Sequence, residues 1–564
     1  MKLSTPTVSK FLAFLRTAAT LIVISSFVSA LAQTADDSKQ ALAAAGTKEF
    51  EAAALLLRNP DKESREAAIE KLNKAIDLFV RADSNVGRAG ALMLRGVCFD
   101  LLEKRDAALA DEQKALALFE EANLLNSQAM ALNFIGSIYL KQKDFAKARD
   151  NLERAWELIQ KSPFQSIDLS ILTNLGNTYV ELNERKKATD ALWKAVQLAR
   201  DRKPEEVVTT LNNYADAQVR LGTPKYAEFY YESALKRARA AKLDALEASL
   251  LSSLGGLYLR HLESLPKAKV YLDQALAKLE TFNDEALKCN ILYNLGSYSY
   301  QSIRVQEALD YYERARVIAL KIKGRAYEAN IANGTGMVYL FLDDSKKAIP
   351  YFEHSIAIAR ELGNPAIEAH ALINHAKAQE GIGDSKTAIA DFMRAMELVK
   401  VGFPGVKSFA VSVLLDFGNF AYRAGNRKQA LDIYLQALPK AREFGFVSSE
   451  AALLNNMAKI YEIDGDLPKA METYNTSLGM SRSLGMPLSE ARSLENLMSV
   501  WSKLGNRNFA AFYGKNAINI YQQFRKGMAG LSMEEQQSFM KNVEAAYRSM
   551  WEAWCARAGL QASW

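Results

Sequence analysis

The chain has 564 residues, with 71 Lys and Arg against 65 Asp and Glu, a formal charge of +6, 49% hydrophobic residues, 29 Gly and only 12 Pro. Cations and carboxylates are interspersed along it, which excludes the basic stripe with interleaved aromatics that nucleic acid requires. Abundant apolar residues with few prolines suit long helices, and no break in composition separates unlike domains.

Residues 1–32 form the first element. Lys2, Lys10 and Arg16 precede the apolar run Ala18 to Val28, and Ala30-Leu31-Ala32 supplies small residues at the two positions a signal peptidase reads. This pattern predicts an export signal cleaved before Gln33, with an uncleaved anchor or a buried first helix as the alternatives. The apolar run falls short of the ~20 residues a spanning helix needs, and no later stretch could cross a bilayer. The mature chain, expected to be periplasmic or secreted, would carry +3, because three basic and no acidic residues leave with the signal.

From residue 33 to 526 one template is written repeatedly, most clearly at Leu172 to Arg200. Leu172, Leu175, Tyr179 and Leu182 recur at helical spacing, a polar turn Asn183-Glu184-Arg185 follows, and Ala188, Leu192, Ala195 and Leu198 form a second amphipathic run. Gly176 sits where another helix backbone would come close, and Tyr179 can fill the space beside it. The same small residue, aromatic three later, Ala at twelve and Ala at nineteen return about every forty residues. Copies are Gly96, Phe99, Ala108 and Ala115; Gly136, Tyr139, Ala148 and Ala155; Gly255 and Tyr258, with Ala268 and Ala275 displaced by one; Gly296, Ala308 and Ala315; Gly336, Tyr339 and Ala348; and Gly418, Ala430 and Ala437. Weaker copies are anchored at Ala215, Ala376, Ala458 and Met498, and a degenerate first copy contains Leu56, Ala68 and Ala75. Roughly twelve helical hairpins are expected, none able to bury its apolar faces alone.

This register resembles the tetratricopeptide repeat family in its long-helix form, as in kinesin light chains, with a period near forty. The resemblance implies an all-α fold: a right-handed superhelical solenoid of stacked antiparallel helix pairs whose first helices line a concave face. It also implies that this face holds extended segments of other proteins.

By the register of those repeats, the inward positions are Asn133, Asn177, Asn212, Asn333, Asn419 and Asn455, together with Arg220, Arg260, Tyr293, Tyr300, Lys377, Tyr422, Arg423, Lys459 and Arg492. An amide offers both donor and acceptor to a peptide backbone. The same amides could instead hold neighbouring repeats in register, the role expected for Asn174, Asn294, Asn374, Asn456 and Asn496. The basic and aromatic groups suit a protein or peptide partner with acidic or aromatic side chains.

Catalytic chemistry finds no purchase. Cys98, Cys289 and Cys555 are too far apart for a paired metal motif, and the first two read as buried small hydrophobes, leaving Cys555 as the candidate free thiol. His370 and His375, five apart, fall on different helix faces and read as surface or groove residues, as do His261 and His354. There is no P-loop, no GxSxG and no dinucleotide fingerprint, so no cofactor, metal or catalytic residue is expected. Pro350 and Pro439 fall inside second helices and predict local kinks.

Residues 527–564 break the pattern. Ser532 with Glu535 forms a capping box opening a helix to about Arg557, which would cap the array. Ser538-Phe539 and Tyr547 there resemble the segment preceding the peptidase domain of bacterial repeat proteins with a caspase-like CHAT domain, and the chain ends before that domain's His and Cys. The expected function is an exported, non-catalytic scaffold. The alternatives are a regulatory module detached from such a peptidase and an enzyme of unrecognised type.

Overall fold

The computed structural model describes residues 37–59, 61–162, 167–262, 264–400, 406–527 and 548. The expected signal segment, the expected C-terminal capping helix and Cys555 lie outside the described residues. Among those described there are 24 α-helices, a single 3-10 turn at Leu279–Thr281, and no strand. Two compact units divide between Ala217 and Gln218. The first holds α1 (Asp37–Leu56), α2 (Lys62–Arg81), α3 (Asn85–Leu101), α4 (Arg105–Glu121), α5 (Leu125–Gln142), α6 (Phe145–Gln160), α7 (Asp168–Glu181), α8 (Arg185–Ala199) and most of α9 (Pro204–Arg220). The second holds α10 (Pro224–Ala240), α11 (Asp244–Arg260), α12 (Leu265–Lys278), α13 (Glu285–Gln301), α14 (Val305–Lys321), α15 (Arg325–Phe341), α16 (Ser345–Glu361), α17 (Pro365–Gly381) and α18 (Ser385–Lys400). It continues with α19 (Val406–Arg423), α20 (Arg427–Phe444), α21 (Val447–Ile463), α22 (Leu467–Ser483), α23 (Pro487–Lys503) and α24 (Arg507–Gly527). Within each unit an odd-numbered helix packs most closely on the even-numbered helix that follows, and the even ones from α2 to α6 and from α10 to α22 pack on the next odd one. These are stacked antiparallel hairpins, eleven of them lying within one unit or the other.

The template residues explain the pairing. Ala108, Ala115, Ala148, Ala155, Ala188, Ala195, Ala430 and Ala437 expose no surface, so the second helix approaches its neighbours along a strip with nothing larger than a methyl group. Each anchor glycine admits a side chain, and at Gly96 and Gly255 the helix backbone its spacing suggested comes close as well, a Cβ there lying 3.2 Å from the Ala108 carbonyl oxygen and 3.5 Å from that of Ala268. A Cβ on Gly136 would lie 2.5 Å from Leu152 Cγ, and one on Gly336 would lie 2.6 Å from Phe352 Cε1. Leu192 stands in the same relation to Gly176, and Tyr434 to Gly418. Truncating one of these packed residues to Ala costs about 3 kcal/mol. The aromatic three after the anchor reaches back as well as filling space: the buried Tyr179 donates its hydroxyl to Glu153 of α6 at 2.6 Å.

The turns repeat too. The next-to-last residue of the link between first and second helix has positive φ at Lys143 (65°), Asn183 (58°) and Asp343 (64°), and is Gly at 383, 425, 465 and 505. Ile303 takes the same conformation at 59°, a strained choice for a β-branched side chain. Its side chain is buried in the core shared by α13–α15 and α21–α24, and that burial offsets the strain. Pro224, Pro266, Pro365, Pro468 and Pro487 occupy first turns, where no N–H is needed, while Pro350 and Pro439 do fall inside α16 and α20.

Candidate functional site

First helices are the most enclosed elements. In α11 and α17 eleven of seventeen residues are buried, because each is flanked by its own second helix and by neighbouring first helices. What they leave at least partly accessible includes most of the positions the repeat register picks out, whereas Asn133, Asn212 and Asn455 are buried.

On that line the asparagines form a ladder. Asn174 Nδ2 donates to Asn133 Oδ1 at 3.0 Å, Asn374 Nδ2 to Asn333 Oδ1 at 3.0 Å, and Asn496 Nδ2 to Asn455 Oδ1 at 3.1 Å. Each bond joins the amide three before one anchor to the amide two before the next, 41 residues on. A shorter step of the same kind, Asn456 Nδ2 to Asn419 Oδ1 at 2.6 Å, also receives the Tyr434 hydroxyl. Asn133 donates in turn to Ser170, and Ser493 donates to Asn455. The choice the sequence leaves open between groove and register is thus taken up by register bonds at Asn133, Asn333, Asn419 and Asn455. Each such bond is worth about 1 kcal/mol. Asn212 is buried and donates to Asp216 at 3.1 Å, while its Oδ1 has no partner. Asn177 is half-buried on α7.

The expected basic character is corrected by carboxylates that the register did not flag. Lys377 of α17 pairs with Asp416 of α19 at 2.7 Å, and Arg423 returns a two-pronged bond to Glu380, both contacts 2.6 Å. Lys459 pairs with Glu462 at 3.1 Å, and Arg260 donates to Asn294 at 2.7 Å. In the first unit Lys141 pairs with Asp100 across the same kind of first-helix step. At Lys377, Arg423 and Lys459 the face carries paired charge. Arg260, Arg423 and Arg492 are exposed and Arg220 is half-exposed. Tyr293 lies 6.0 Å from the Tyr312 ring, and Tyr300 stands edge-on to Phe341 at 6.0 Å. Tyr422 is half-buried at the edge of the core formed by α19–α21.

Glu462 is the most connected group on this face. It is 2% exposed and receives Lys503 at 2.8 Å, Ser499 at 2.6 Å and the Tyr474 hydroxyl at 3.0 Å, besides Lys459. Burial disfavours its charge, but Lys503, Ser499 and Lys459 outweigh that and hold its carboxyl below the usual range. Sequence reasoning missed it because a lone Glu at the end of an apolar helix carries no motif.

Cys98 and Cys289 are buried as expected, and burial pushes both thiols up to about 12. His375 departs from expectation. It is buried, with Nδ1 2.7 Å from Asp391 and Nε2 3.0 Å from Gln379, so both ring nitrogens serve the α17–α18 hairpin. Among the described residues no three His, Cys, Asp or Glu side chains gather in a metal-holding group, and no helix is long and apolar enough to cross a membrane.

Residues 127–201, 287–361 and 327–400 match the tetratricopeptide repeat family model. Those segments carry tetratricopeptide repeats. Their register, followed beyond the matched segments, accounts for the hairpins on either side. Among solved structures, the Cut9–Hcn1 hetero-tetramer of the APC/C is similar over 96% of this chain and 97% of that one, with 14% identity and a TM-score of 0.50. A Rap protein complexed with competence and sporulation factor is 16% identical over 64% of this chain and 99% of its own, with a TM-score of 0.49. For aspartyl phosphate phosphatase F from Bacillus subtilis the figures are 12%, 66%, 97% and 0.45. At 14% identity the likeness to Cut9–Hcn1 speaks for the fold alone. No curated protein matches the chain in sequence.

Proposed function

We propose that this protein is an exported, non-catalytic repeat scaffold that holds an extended segment of another protein against the first-helix face of its second unit. The segment would lie along Lys377, Asn419, Tyr422, Arg423 and Lys459. The observation that carries this reading is the pre-organisation of that line: Arg423 is exposed, yet Glu380 clamps its guanidinium with both oxygens at 2.6 Å. A donor already fixed in place loses little side-chain freedom when a partner arrives. Accessible groups spaced one repeat apart suit a chain in extended form, whose backbone and alternate side chains can be met step by step. Because the cations are matched by Asp416, Glu380 and Glu462, the partner best suited to this face carries mixed polar and aromatic side chains rather than a run of acids. Export rests on the N-terminal pattern of Lys2, Lys10 and Arg16 before an apolar run and Ala30-Leu31-Ala32.

An exchange variant tests the binding face. Arg423→Glu combined with Glu380→Arg restores the ion pair with its polarity reversed, so melting stays near the parent value while capture of the native partner falls about tenfold or more, as for truncation of a buried interface charge pair. Unchanged capture by the exchange variant, folded and paired, would place the binding surface elsewhere.

A further inference from the structure

The slot facing the anchor residue, glycine or alanine, is apolar in hairpin after hairpin. Leu152, Leu192, Tyr312, Phe352, Tyr434 and Tyr474 fill it, each buried or nearly so. In the α3–α4 hairpin that position is Glu112. It exposes no surface, neither carboxyl oxygen has a hydrogen-bond partner, and a Cβ on Gly96 would lie 2.8 Å from its Oε1. The cations nearby are committed elsewhere: on α3, Arg95 forks onto Asp111 at 2.7 and 2.8 Å and reaches Asn73 at 2.6 Å, and on α5, Lys141 is bound to Asp100. The charged groups left facing Glu112 are the carboxylates Asp111, on its own helix, and Asp100, on α3.

We infer that Glu112 is carried as an uncharged acid and makes the α3–α4 hairpin a pH-sensitive joint, firm in acid and loosened as the pH rises. An ionised carboxylate with no partner in a leucine-sized slot is unfavourable enough that the group either keeps its proton or forces the hairpin open. Burial first, and then the charges of Asp111 and Asp100, raise its pKa well above the carboxylate range, in keeping with that geometry. The sign follows from linkage. Below the unfolded-state pKa both states hold the proton and stability is full. Above it the unfolded chain releases its proton and the folded chain does not, so stability falls with each unit of pH until the folded-state pKa is passed. No other described hairpin has a carboxylate in this slot, so the softening is confined to the early repeats of the first unit.

The test uses the full-length protein and hydrogen exchange, corrected for intrinsic rates, at about pH 5 and about pH 8. The protection of α3–α4 relative to α7–α8 should fall on going to the higher pH, by at most about tenfold per pH unit. Glu112→Gln, which keeps the shape without the charge, should flatten that ratio, and Glu112→Leu should flatten it and raise it. Independently, the wild-type infrared spectrum near neutral pH should contain a carboxylic-acid C=O band that Glu112→Gln lacks. A pH-flat ratio in the wild-type protein, or a neutral-pH spectrum without the acid band, would overturn the inference even if neither variant folded.

Discussion

Glu112 in the first unit and Glu462 in the second have almost no exposed surface, and the surroundings of the two are opposite. Glu462 receives two lysines, a serine and a tyrosine, and its charge is part of what ties α21 to α23. Glu112 receives nothing and faces two further carboxylates. Burial alone therefore does not decide whether an acid keeps its charge; the number of donors within reach does. Equal burial gives one residue that fastens neighbouring repeats and one that weakens its own hairpin as pH rises.

That contrast can be broken from either side. Removing the acceptor should have the largest effect: Glu462→Leu strands Lys459, Lys503, Ser499 and Tyr474 together, and should lower stability of the second unit by about 3 kcal/mol, read from the urea midpoint. Its pH signature should also be the reverse of that at Glu112. The folded pKa of Glu462 is depressed, so its contribution is present above the unfolded-state pKa and is lost as pH falls through the folded value. Wild type and Glu462→Leu should then converge in acid. Next in size is Glu112→Leu, which replaces an unpartnered acid with the residue used at positions 152 and 192. It should gain about 2 kcal/mol near neutral pH and less in acid, measured as thermal midpoints at the two pH values. A loss at neutral pH would mean that Glu112 is charged and bound to something. Smallest is Asn455→Ala, which removes one rung of the amide ladder, takes its acceptor from Asn496 and leaves Ser493 with Ser477. About 1 kcal/mol should be lost, and the double variant Asn455→Ala with Asn496→Ala should lose little more, because the two amides act as one unit.

Most of the architecture was legible in the residues. Glycine, aromatic and two alanines at fixed spacing are a direct record of where one helix touches the next, and Ala188, Ala195, Ala430 and Ala437 sit where that spacing put them, fully buried. Even the degenerate first copy, Ala68 and Ala75, is enclosed like the rest. The division near Ala217 was not legible, since α9 runs through it with no change of composition. The candidate face was readable as a set of positions but not as chemistry. Register identifies Arg423 and Lys377, whereas their partners Glu380 and Asp416 lie 43 and 39 residues earlier and later, on neighbouring first helices. The asparagines show the same limit: the rows three before and two before the anchor are separate in sequence and are bonded to each other in space. Glu112 did leave a signal, an acid in a column of leucines and aromatics, that comparing second helices position by position reveals.

Site-specific photocrosslinking tests the scaffold reading most directly. A benzophenone side chain placed at Tyr422 on the first-helix face, and in a separate variant at Tyr226, an exposed position on the second helix α10, would be irradiated in the native host cells and their medium. The account predicts one discrete adduct from position 422, competed away by the unlabelled protein, and none of that mass from position 226. The same adduct from both positions, or from position 226 alone, would contradict it.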